Sequence, residues 1–369
     1  MDFIAFFTSA QLLMHSPTIL YNLHSQQLMQ QSIAPITKQM SLFIAFVNPP
    51  FVALLFVPLL KLGLLNAYLV WLIINALFLV IICFLGYRQI NSSKPYVKIL
   101  SIICILTFIP ILTSLLIGQL SILLSLVLLL TWIFLKKGWN FRSGLMISLL
   151  LIKPQFLLFP FLAVIIQRRN KLTYGLIIGI IVLVIISYLL VGTNGITNYL
   201  YALNSASHGD TRYDVDLMAQ HSIQTLLLIL FHTRSIATIQ LPWLLIIFGI
   251  TLPTLFVWTK KFPTTSPQFS FQWALLIFAT LLSSPHTHFH DLSFLIIAAI
   301  MILSVIPKLK AKLHTKLIIL LILGYLIALI GYLFDVQTHS QTLSIWIVVN
   351  VTYIFIFWLI LLKNVKVKR

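Results

Sequence analysis

Six carboxylates, all of them aspartate, are the whole acidic complement of this 369-residue chain: Asp2, Asp210, Asp214, Asp216, Asp291 and Asp335. A carboxylate acting as general base must be one of these. The densest polar run is Ser283-Ser284-Pro285-His286-Thr287-His288-Phe289-His290-Asp291. Its three imidazoles have three readings. They are ligands for a metal, or part of a polar loop whose Asp291 N-caps the next helix, or contacts for a substrate phosphate, to which a ring donates a hydrogen bond or, once protonated, supplies charge. The last reading is preferred, and a divalent ion at His286–Asp291 stays open.

Lys153 follows Arg142 by 11 positions inside apolar sequence. An ammonium there either snorkels outward or faces an anion within the protein, and phosphate suits a compact point charge. Gly118-Gln119 splits two long apolar runs. It reads first as a tight turn with a wet glutamine, and second as an amide placed for a sugar hydroxyl. The stretch 193–220 carries Asp210, Arg212, Asp214 and Asp216, with Gln220-His221-Ser222 behind it. It reads as a long connection of the kind that forms lids, which makes Arg212 a candidate acceptor contact. The run 223–231 is too short to span and reads as interfacial or partly re-entrant.

The elements that position these groups follow from composition. The chain is 60% hydrophobic and 8% charged with mean hydropathy +1.06, which excludes a soluble globular domain. Long runs such as 176–190 do not alternate, so a β-barrel is excluded. The expected fold is an all-α polytopic membrane protein, one domain over 1–369. Spans are expected at about 65–86, 98–116, 119–135, 172–192, 241–258, 270–284, 291–306, 316–334 and 343–362. A hairpin of two short helices over 142–167, with Lys153-Pro154-Gln155 at its apex, brings the total to about eleven. Pro154 weakens any single helix there by removing a backbone donor.

The net charge of +18 sits mostly between apolar runs, which is topology signal rather than a nucleic-acid surface. The basic loops and the C-terminal tail therefore face the cytoplasm. The non-cytoplasmic side receives residues 1–50 (a first outer loop with interfacial helices), Gly118-Gln119, the Lys153 apex, the 193–240 loop and 283–291. An odd number of spans puts Met1 outside and calls for a further transmembrane helix upstream. Met1-Asp2-Phe3-Ile4 lacks the basic start of a signal peptide. Cys83 and Cys104 lie in apolar runs and suggest neither disulfide nor metal.

Asp2-Phe3 with Phe6-Phe7, Leu20-Tyr21-Asn22, Asn48-Pro49-Pro50-Phe51 and Pro58-Leu59 resemble the opening of glycosyltransferase family 87, of the GT-C class. Gly118-Gln119, Ile152-Lys153-Pro154, His221-Ser222, Ser284-Pro285-His286 and Asp291-Leu292 follow in the family's order, so the resemblance covers nearly the whole chain. It implies a hexosyltransferase of the cell membrane. The donor would be a polyprenyl-phosphate sugar, often mannose, and the acceptor a lipid or glycan hydroxyl on the non-cytoplasmic face. It implies no cofactor beyond the donor, with Asp2 as base.

The chemistry of the side chains agrees. A lipid phosphate is already a good leaving group, so one base and positive donors suffice, and a lone base suits inversion. His286 and Lys153 would hold the phosphate. Gln119, Gln155 and His221 would orient hydroxyls, and His290 and Asp291 would add substrate contacts. Competing readings are a transporter or lipid flippase, which no internal repeat supports, and an inactive GT-C relative.

Overall fold

The computed structural model describes residues 2–34, 43–92, 94–208, 210–213, 220–309 and 311–338, with Thr352, Tyr353 and Ile356. Met1, Asp214, Asp216 and nearly all of the expected span 343–362 lie outside the described residues. Helices make up 82% of the structure with no strand among the described residues, as an all-α membrane protein requires.

The N-terminal part contains α1 (Phe3–His15), α2 (Leu23–Ile33) and α3 (Pro50–Leu54). Every α1 residue before Met14 except the half-buried Gln11 has under a tenth of its surface exposed. α1 is therefore a core helix, apolar all round because it is enclosed all round. α2 buries Gln26 and Gln30, whose amides bond the backbone of Phe46 and Ile44. These bonds satisfy an extended segment that has no sheet to join. They also deliver Asn48 to the centre.

A long helix, α4 (Gly63–Gln89), buries Ala67, Trp71, Asn75, Leu79, Ile82 and Gly86 along one stripe. It leaves Leu65, Leu69, Ile73, Leu77 and Phe84 exposed. Apolar residues on both faces are what a lipid-facing helix needs. Then come α5 (Pro95–Leu106) and α6 (Ile109–Ile117), bent by 44° ahead of Pro110, where one expected span was placed. α7 (Ser121–Lys136) and α8 (Asn140–Ser148) follow.

The expected hairpin at 142–167 is present as two short arms. α8 continues as a 3-10 turn to Ile152, Lys153 is extended (φ −127°, ψ 92°), and Pro154–Phe156 starts a second turn before α9 (Leu158–Gln167). The arms seat on different partners instead of on each other. α8 lies on α7 and on α10 (Asn170–Ser207), while α9 lies against α12 (Ile236–Trp258) and α13 (Pro267–Ser283). The α8–α10 approach is glycine-based: a Cβ on Gly144 would strike the Leu172 carbonyl, and one on Gly175 would strike that of Phe141.

α10 also corrects the reading of 193–220. The helix breaks at Gly192 and resumes to Ser207, so about half of the expected loop is helical. α11 (Ile223–Leu230), α14 (Phe294–Leu303) and α15 (Ala311–Thr338) complete the described chain.

Four helical stretches are long and apolar enough to cross a bilayer, and the bent pair α5–α6 would make a fifth. The described residues do not reach the expected eleven. Several expected spans are short helices, such as α7 with 16 residues, packed inside the bundle. The chain is nevertheless a multi-pass membrane protein by its apolar helices.

Three central helices share one orientation scheme. α7 runs from Ser121 to Lys136, α13 from beside Thr265 to Ser283, and α14 from beside Asp291 towards Lys308. At one end Lys136 bonds Gln89, Lys308 reaches the Thr265 carbonyl and Arg169 reaches that of Phe262. The basic loops thus gather at one end. The other ends of these helices, about 24 Å away along α7, carry the polar residues described next.

Candidate active site

Asp291 is the hub. Its side chain is 0% exposed and Lys153 Nζ lies 2.7 Å from Oδ1. The Ser121 hydroxyl donates to the same oxygen at 2.6 Å, and the His288 backbone N–H donates to Oδ2 at 3.1 Å. His290 Nε2 stands 3.2 Å from Lys153 Nζ, and its ring stacks on His288 at 5.3 Å. A charge so enclosed requires this full set of partners.

Three elements bring the hub together. The break in the helix at Lys153 turns the ammonium inward. Asn48 donates to the Ile152 carbonyl at 3.0 Å, satisfying the backbone group that the break exposes. Asp291 sits in the 3-10 turn Phe289–Ser293, one turn inside the position at which it would cap. Its carboxylate reaches back to His288 in the manner of a capping-box acid.

Asp2 is fixed by a second device. α6 ends in a Schellman closure: Gln119 N–H bonds the Ser114 carbonyl and Gly118 N–H that of Leu115. Gly118 is left-handed at φ 78°, and a Cβ there would lie 2.8 Å from the Phe3 Cβ. Glycine is therefore required both by the turn and by the seating of α1. The Trp71 indole N–H holds the Gly118 carbonyl at 2.9 Å. With Phe3 docked on this turn, the preceding Asp2 receives the Gln119 amide at 2.6 Å on Oδ2. Gln119 and the hub's Ser121 are two residues apart, and Asp2 is near enough to act electrostatically on His288. Asp2, Gln119, Lys153, His288, His290 and Asp291 therefore converge, although the sequence separates them by up to 289 positions (291 − 2).

The third part is neutral. His286 Nδ1 lies 2.8 Å from Gln220 Oε1, and the His221 backbone N–H bonds the Thr287 carbonyl at 2.6 Å. Burial pushes the His221 and His286 imidazoles from 6.5 to about 4, with His288 adding to the effect on each. The His288 ring is accessible, yet enough protein surrounds it that desolvation lowers it too. In and beside this pair of segments, His286 Nε2, His221 Nδ1, Gln220 Nε2, Gln224 Oε1 and Ser283 Oγ are buried without a partner among the described residues. Gln119 Oε1 is in the same condition.

Two expected site residues are placed differently. Arg212 is 69% exposed and grips Asp210 at 2.6 Å. The hydrogen bonds between them raise the guanidinium and lower the carboxyl from their ordinary values. The pair forms a local surface bridge and has no contact with the hub. Gln155 is half-buried one residue beyond Pro154 and makes no side-chain hydrogen bond among the described residues. No group of three or more His, Cys, Asp or Glu side chains among the described residues is arranged to hold a metal, and the nearest candidates stand beside the Lys153 ammonium. Ser121, Asn48 and Gln220 were missed from sequence. The available signal was polarity at the end of an apolar run, which Ser121 and Gln220 share with many uninvolved residues.

The model of glycosyltransferase family 87 matches residues 46–285. The chain belongs to glycosyltransferase family 87. The match includes Asn48, Gln119, Ser121, Lys153, Gln220 and His221, while Asp2 and His286–Asp291 join the site through the contacts above. No curated protein and no solved structure matches the chain. Family 87 membership makes the protein a membrane glycosyltransferase, a transferase acting with lipid or lipid-linked and glycan substrates, and sets aside the transporter reading.

Proposed function

We propose that the protein transfers a hexose such as mannose from a polyprenyl-phosphate donor to a hydroxyl of a lipid or glycan acceptor, with inversion. Asp2 takes the proton of the acceptor hydroxyl and the acceptor oxygen bonds to the anomeric carbon. The bond from that carbon to the phosphate oxygen breaks, and polyprenyl phosphate leaves with the electron pair. His286 and the Lys153 charge face the departing phosphate, while Gln119, Gln155 and His221 meet hydroxyls. His290 and Asp291 act through Lys153. No cofactor is invoked.

The observation that carries this reading is the 2.6 Å bond from Gln119 to Asp2. It aims one Asp2 oxygen and leaves the other without a hydrogen bond among the described residues, beside the hub. The basic loops at the far end of the bundle support a site on the non-cytoplasmic face of the cell membrane, with the C-terminus inside.

The test is transfer of radiolabel from polyprenyl-phosphate mannose in membranes. Asp2→Asn should lower the rate by about 10²–10⁴-fold with unchanged membrane insertion. Full activity in that variant removes Asp2 from the mechanism.

A further inference from the structure

Gln220 has no part in the scheme above, yet it supplies the single side-chain contact of His286 among the described residues, Oε1 to Nδ1 at 2.8 Å. The pair is clamped. One residue on, the His221 N–H bonds the Thr287 carbonyl, and the Ser284 hydroxyl holds the His286 carbonyl at 2.9 Å. A carbonyl oxygen only accepts, so this arrangement puts the ring proton on Nδ1 and leaves a lone pair on Nε2. The other nitrogens of both groups, His286 Nε2 and Gln220 Nε2, are buried with no partner among the described residues. Turning the amide over reverses every role: an N–H then faces Nδ1, the ring proton moves to Nε2, and a carbonyl faces outward.

We propose that Gln220 is a positioning residue that sets where His286 carries its proton, allowing the neutral ring to switch from an Nε2 lone pair to an Nε2–H donor when a phosphate arrives. The inference rests on the reading of His286 as a phosphate contact. An amide suits this task and a carboxylate does not. A glutamate at position 220 would lock the proton on Nδ1 and favour the charged imidazolium. The titratable group acting on His286 is His288 of its own loop. His221 adjoins Gln220 on the facing segment and is neutral as well. Lys153 and Asp291 form a closed pair behind them.

The experiment compares full-length wild type, Gln220→Glu and Gln220→Leu in detergent, with labelled polyprenyl-phosphate mannose as donor. Wild-type donor KM should be flat across about pH 6–8, because a buried neutral ring does not titrate there. Gln220→Glu should raise donor KM about tenfold over the same range, as the imidazolium loses its proton and presents a lone pair to the phosphate. Gln220→Leu should raise KM about fivefold with no new pH limb. A Gln220→Glu profile that superimposes on wild type overturns the inference, as does an equal loss of kcat in both variants with unchanged pH dependence, the mark of a merely structural residue.

A second measurement needs no Gln220 variant. In wild type labelled with ¹⁵N-histidine, the His286 resonances, identified by their loss in His286→Gln, should show the Nδ1–H form at neutral pH. They should change to Nε2–H on addition of farnesyl phosphate. An Nε2–H form in the free protein, or no change with that probe, overturns the proposal. A switch without any sugar transfer would sink the transfer scheme and leave Gln220 its role. Transfer without a switch would do the reverse.

Discussion

The Asp291 hub and the Gln220–His286 cluster lie on neighbouring turns of chain and obey opposite rules. Every oxygen of Asp291 is engaged, by Ser121, Lys153 and the His288 backbone. Around Gln220, five buried polar atoms have no partner among the described residues. Charge cannot be left uncompensated in a dry interior, so the hub is closed. Neutral amides, rings and hydroxyls can be left open at a smaller cost. The closed region fixes the Lys153 charge in place, and the open region is prepared for the neutral contacts of a ligand.

The comparison is most severely tested by removing one half of the ion pair. Lys153→Met should destabilise the protein by about 3–5 kcal/mol, seen as a lowered unfolding temperature in detergent. The double variant Lys153→Met with Asp291→Leu should recover much of that loss. Strictly additive effects would show that the pair is not a unit.

Gly118→Ala comes next. The left-handed backbone alone costs about 1–2 kcal/mol, and the clash with Phe3 should shift Asp2 and depress transfer beyond what the lost stability explains. A variant with wild-type rate would mean that α1 does not need this turn.

In the open region the sign should change. Gln224→Leu and Ser283→Ala remove Gln224 Oε1 and Ser283 Oγ, which lack partners among the described residues, so stability should hold or rise by about 1 kcal/mol, while donor or acceptor KM rises. Marked destabilisation in either would place those atoms in the scaffold.

The smallest effect is in pH. His221 and His286 have folded values near 4 against 6.5 unfolded, so the unfolded chain binds more protons between those limits. Their contribution to stability is complete above about pH 6.5 and is lost as pH falls towards 4. The unfolding temperature should decline through that window, less steeply in His221→Gln.

The hub and the open cluster were unequally legible in the residues. Lys153 beside Pro154 marked itself, because a cation and a broken helix in apolar sequence both demand partners. Asp291 was visible for its rarity, and the closed pair they form gives that rarity a reason. Arg212 was a weaker candidate by its charge, and a partly buried Asp210 two residues away satisfies it locally. Gln220 carried only a signal it shares with many uninvolved residues, since an amide in a polar stretch is ordinary until something buries it. The 193–220 stretch misled because its first half, up to Ser207, is polar sequence carried on a helix that resumes after Gly192.

Composition and the lengths of the apolar runs determined, without any coordinates, that this is a helical membrane protein with its few acids kept for a purpose: lipid tolerates little else. Which of those acids meet was decided by tertiary structure. Asp2 reaches Gln119 because Phe3 fits against a turn with no Cβ, and Lys153 reaches Asp291 because Asn48 caps a broken helix more than a hundred residues away (152 − 48 = 104). Contacts of that separation follow from shape and burial, which no local pattern of residues encodes.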